Sequence, residues 1–69
     1  MTEKDKLFWV EVEVETLLAR AEQARQDIIE NIPHTEIYTI TGEVNMSTRW
    51  GAVLWTINQS IASLQAMGF

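Results

Sequence analysis

A chain of 69 residues has room for one domain at most. It holds no cysteine and a single histidine, His34, so disulfides, thiolate metal sites and a histidine-built zinc site are excluded as supports for so small a core. A formal charge of −5 argues against direct nucleic-acid binding, whose affinity comes mostly from Lys and Arg neutralising phosphates. What remains to stabilise the fold is helix packing and self-association. The 46% hydrophobic content, high for a small soluble chain, favours both. The acidic charge suits solubility, approach to a basic protein surface, or imitation of DNA by rows of carboxylates.

The N-terminal stretch MTEKDKLFW mixes acids and bases and has no continuous apolar segment, so it does not read as a signal peptide. No run of 18 uncharged apolar residues predicts a membrane span. Together with the missing cysteines, this fits a cytoplasmic protein.

The first predicted helix covers about residues 3–32. Thr2 is its N-cap candidate, with Asp5 three residues on as a capping-box partner. Leu7, Val10, Val14, Leu17, Leu18, Ala21, Ile28, Ile29 and Ile32 fall on one face at 100° per residue, with Ala24 at its edge and Arg25 interrupting it. Pro33 disfavours the α conformation at Ile32 and ends the helix. Such a helix is ~45 Å long at 1.5 Å per residue. Within it, Val10 to Glu15 alternates like a half-buried strand, but the apolar stripe on both sides stays in helical register.

Residues 33–46 form a connection of different character. Glu36 to Thr41 is rich in β-branched residues and is followed by Gly42. This predicts a short strand at about 36–41 or an extended link. No second strand is evident in the chain, so a strand here would pair with its copy in another subunit. Helix two is predicted over about residues 47–67, with Ser47 as N-cap candidate and Gly68 as its stop. Trp50, Val53, Leu54, Ile57, Ile61 and Leu64 form its stripe, and Arg49 is the only charge from Ser47 onward. A helix so poor in charge suits the interior of an assembly.

Two such helices make a mainly α hairpin. Alone, the hairpin leaves much of each stripe at the edge of the contact, so two copies are expected to pair as a homodimer with a four-helix arrangement. Leu7, Val14, Leu18, Ile28, Trp50, Leu54, Ile57 and Ile61 are the expected core and dimer residues. A second apolar surface lies off the stripes: Phe8, Trp9 and Val12 on the first helix, and Trp55 beside Ala52, Ala62 and Ala66 on the second. It serves either as part of one broad core or as a dimer seam or partner site.

Catalytic patterns are lacking. His34 sits in a Pro-His-Thr turn and reads as a loop residue. Glu11, Glu13 and Glu15 point in different directions on a helix, and none of Gly42, Gly51 and Gly68 belongs to a phosphate-cradling loop. No enzyme activity, cofactor or metal is expected. Binding hot spots favour aromatic residues that bury large area and keep a polar tip. The candidate partner-binding residues are therefore Trp9, Tyr38 and Trp55, with Phe8, Val44 and Met46 beside them. Alternatively, the apolar residues of the connection, Ile37, Ile40, Val44 and Met46, dock on the protein's own helices.

The layout of two helices joined by a hydrophobic connection, with the stretch Glu36-Ile37-Tyr38-Thr39 through Trp50, resembles small phage-encoded proteins that disable a host protein, in particular the phage anti-quorum-sensing family. The resemblance implies a dimeric helical binder acting on a host transcriptional regulator or a pilus assembly ATPase, with Tyr38 and the connection to Trp50 as the place of contact. Two other functions fit the composition: an acidic DNA mimic that blocks a nucleic-acid-binding protein, and a structural self-assembly protein.

Overall fold

A computed structural model describes residues 2–69. Helix α1 spans Glu3–Asn31 and helix α2 spans Arg49–Ala66, with a single 3-10 turn, His34–Glu36, in the connection. The helices pack against each other as a hairpin.

Local chemistry accounts for the ends of α1. The Thr2 hydroxyl accepts from the Asp5 amide at 3.3 Å, and the Asp5 carboxylate accepts from the Thr2 amide at 3.4 Å. This reciprocal box satisfies two amides that have no helical partner. At the other end, Ile32 before Pro33 is extended (φ −95°, ψ 134°) while its amide still donates to the Ile28 carbonyl. The alternating segment Val10 to Glu15 is helical throughout, as its neighbours on both sides dictate.

Helix α2 starts one residue later than the sequence suggests. Thr48, not Ser47, is its N-cap, and its hydroxyl accepts from the Gly51 amide at 3.1 Å. Ser47 is drawn into the preceding turn, its amide donating to the Asn45 side chain at 2.9 Å. The C-terminal end is a Schellman closure: Gly68 has φ +98°, its amide donates to the Gln65 carbonyl, and the Phe69 amide donates to the Leu64 carbonyl.

The connection does not form the strand considered for residues 36–41, and it does not wait for another subunit. Its polar backbone is satisfied within the chain. Tyr38 and Val44 make an isolated antiparallel bridge, with the Thr39 amide donating to the Glu43 carbonyl and the Asn45 amide to the Ile37 carbonyl, both at 2.7 Å. The Gly42 amide donates to Thr39, and Gly42 takes φ +87°, so the turn reverses the chain in four residues. The segment Glu43–Asn45 is thus the pairing partner that the composition did not reveal.

The core lies where this connection meets the two helices. Ile28, Ile37 and Leu54 are buried together, with Ile32, Tyr38, Val44, Trp50, Val53 and Ile57 packed around them. Ile37 has no exposed surface at all. The 3-10 turn carries it beneath α2, and its burial contributes about 1.5–3 kcal/mol. Leu18 and Ile61 are buried farther along the hairpin.

Candidate partner-binding surface

Helix α1 has 29 residues and α2 has 18. At 1.5 Å per residue the difference is about 16 Å. Contacts across the hairpin show which end of α1 is left over. The Arg25 guanidinium donates to Asn58 at 3.5 Å, and the Gln65 amide donates to Glu22 at 3.4 Å. Helix α2 therefore ends roughly a turn beyond Glu22, near Leu18. The first four turns of α1 project past it, which gives the molecule its 53 Å length against widths of 21 and 15 Å.

This projecting end is apolar on two sides. Leu7 and Val10 are 62% and 52% exposed, and they continue the line of Ala21, Ala24 and Ile28 that α2 covers farther on. Phe8 and Trp9 are 58% and 51% exposed on the other side, with their rings edge to face at 5.5 Å. A helix apolar on most of its circumference is ordinarily a buried one. Lys4, Lys6, Glu11, Glu13 and Glu15 are set between the apolar positions.

The candidate residues from the sequence separate into three places. Phe8 and Trp9 share the projecting end. Trp55 is exposed halfway along α2, with the half-buried Ala52 and the exposed Ala62 and Ala66 on its side. Tyr38, Val44 and Met46 lie at the opposite end of the molecule, about 35 Å along α1 from Phe8. Met46 is exposed there, whereas Tyr38 and Val44 are half-buried against the core. The Tyr38 ring also meets the His34 ring edge to face at 5.5 Å. These last two side chains hold the connection down more than they present it.

The residues expected in the core or dimer seam divide as well. Leu18, Ile28, Leu54 and Ile61 are buried, while Val14, Trp50 and Ile57 are half-buried. Trp50 carries the Arg49 guanidinium 5.6 Å above its ring. Leu7 lies outside the hairpin core because α2 does not reach it. Ile37 is the core residue that periodicity could not single out, since it sits outside both helices. Ile40, at the tip of the turn, is fully exposed and borders an open concavity lined by His34, Tyr38, Thr41 and Asn45.

Among the described residues, no three His, Asp or Glu side chains cluster closely enough to hold a metal ion. No helix there is long and apolar enough to cross a membrane. No family model, curated protein sequence or solved structure matches this chain.

Proposed function

We propose that this protein is a non-enzymatic inhibitor that binds a host protein through the outer face of the projecting end of α1. The observation that carries this reading is the Phe8–Trp9 pair: two large aromatic side chains, each more than half exposed, held edge to face on a helix that extends beyond the rest of the molecule. Aromatic side chains of this kind dominate binding energy when they enter a pocket, because they bury large area with little loss of rotamer freedom. Glu15, one heptad from Phe8 on the same side of the helix, suits a basic rim on the target.

The targets to try first are those that the resemblance implies, a quorum-sensing transcriptional regulator and a pilus assembly ATPase. Titration calorimetry with each purified target compares wild type with the double variant Phe8→Ala/Trp9→Ala. Truncating two hot-spot side chains at about 2 kcal/mol each weakens binding at least a hundredfold, while helical content stays unchanged. If neither target binds, affinity capture from lysate, read by mass spectrometry for both proteins, decides between target class and mechanism. A protein lost only by the double variant keeps the inhibitor reading with another target. A capture profile identical for the two proteins contradicts it. Trp55→Ala is the companion variant, because Trp55 is the other exposed tryptophan.

A further inference from the structure

The inner face of the projecting end carries a second inference, independent of the target. We propose that it docks a second copy of this chain in an antiparallel overlap of the two α1 ends, so that each copy's α1 lies in line with the other's α2.

Three observations select this occupant. The first is the spacing 7-10-14-17-21, which alternates three and four residues. It makes Leu7, Val10, Val14 and Leu17 the a and d positions of a two-helix seam. Beyond Leu17 that seam is occupied by α2; before it, Leu7 and Val10 face water.

The second observation is length. With the two-fold axis midway between Phe8 and Trp9, Leu7 lies level with Val10 of the second copy. Residues 3–14 of each helix then overlap, and Glu3 meets Val14 at the rim where water reaches both. The N-terminus of the incoming helix stops beside the C-terminal end of α2, where the exposed Met67 and Leu17 sit. A parallel partner does not fit, because its α1 would run into the space that α2 fills. In the antiparallel overlap, the positive end of one helix dipole also meets the negative end of another.

The third observation is charge complementarity. Lys4 and Glu11 occupy e positions, and Lys6 and Glu13 occupy g positions. Antiparallel helices bring e beside e and g beside g. In this register Lys4 falls within about 3 Å along the axis of Glu11 on the second copy, and Lys6 equally near Glu13. The two-fold symmetry makes four such opposite-charge neighbours. Phe8 (b), Trp9 (c) and Val12 (f) remain on the outside, so the overlap brings two aromatic pairs to the middle of one rod.

Light scattering and sedimentation give the mass, and spin labels give the direction. The wild type is expected to be a dimer at micromolar concentration, and Leu7→Glu/Val10→Glu a monomer of unchanged helicity, since both side chains are exposed in the hairpin. Lys4→Glu/Lys6→Glu is expected to weaken the dimer at least tenfold at low salt, and adding Glu11→Lys/Glu13→Lys is expected to restore it. Labels on Gln23→Cys, an exposed position, fall about 43 Å apart along the axis in the overlap, against ~10 Å for helices packed side by side in parallel. A wild type that stays monomeric, a dimer that survives Leu7→Glu/Val10→Glu, a charge swap without rescue, or a label distance under 20 Å each overturns the proposal. Phe8→Ala/Trp9→Ala leaves the dimer intact, so failure here is distinguishable from failure of target binding.

Discussion

Replacing Gly51 by alanine sets helix propensity against packing. Gly51 is buried at the third position of α2. An exposed Gly→Ala change inside a helix stabilises by up to about 1 kcal/mol. Here, however, the added methyl carbon would stand 1.9 Å from the Asn45 carbonyl oxygen and 2.7 Å from the Thr48 hydroxyl. Neither neighbour can yield without loss. Asn45 is held by its amide's 2.7 Å bond to Ile37, and the Thr48 hydroxyl both caps α2 and donates to the Glu36 carbonyl at 2.6 Å. Moving them by more than an ångström combines the cost of overpacking, about 1–3 kcal/mol, with the loss of the cap, about 0.5–2 kcal/mol. The expected net effect is a destabilisation of about 2–3 kcal/mol. For a domain of this size that corresponds to a fall of roughly 10–20 °C in Tm. Thermal and urea melts followed by circular dichroism, at one fixed protein concentration, measure it. A Gly51→Ala protein as stable as wild type, or more stable, would show that propensity wins and that the connection does not approach the helix this closely.

Two further predictions concern the same junction. Thr48→Val removes the hydroxyl that joins the Glu36 carbonyl to the Gly51 amide and is expected to cost about 1–2 kcal/mol, whereas Thr48→Ser keeps the oxygen and loses less than half of that; equal losses in urea melts would contradict the capping role. Ile37→Ala, at a site with no exposed surface, is expected to cost about 2–5 kcal/mol, while Ile40→Ala, fully exposed three residues on, changes stability by no more than about 0.5 kcal/mol; similar costs for the two would place Ile37 outside the core.

Much of this architecture is legible in the sequence because its signals are local. Thr2 with Asp5, Pro33 and Gly68 mark helix ends through the hydrogen-bonding or backbone restrictions of single residues, and the apolar stripes give the helices between them. The unequal lengths of the two expected helices already imply that one end is left uncovered. The connection is less legible because long-range contacts decide it. Composition points to Ser47 as the cap, and Thr48 takes the role because its hydroxyl also reaches Glu36, twelve residues earlier. The β-branched run at 36–41 suits a strand, yet burial of Ile37 favours a 3-10 turn that drops it under α2. Gly42 between two short apolar runs is a hairpin signal, and it locates the Tyr38–Val44 bridge once the turn is placed there. Among the candidate contact residues, Phe8, Trp9, Trp55 and Met46 are exposed, while Tyr38 and Val44 show that an aromatic or aliphatic side chain in a connection can serve the protein's own core.

In the proposed dimer the first turns of α1 are covered by a second copy and are not a free helix end. Hydrogen exchange of the amides from Leu7 to Val12, followed across a protein dilution series, tests this most directly. A helix end covered by a second copy exchanges at least tenfold more slowly at high concentration than at low, while amides from Val53 to Ile61 in the hairpin core show a much smaller change. Rapid exchange from Leu7 to Val12 that is the same at every concentration would contradict the claim.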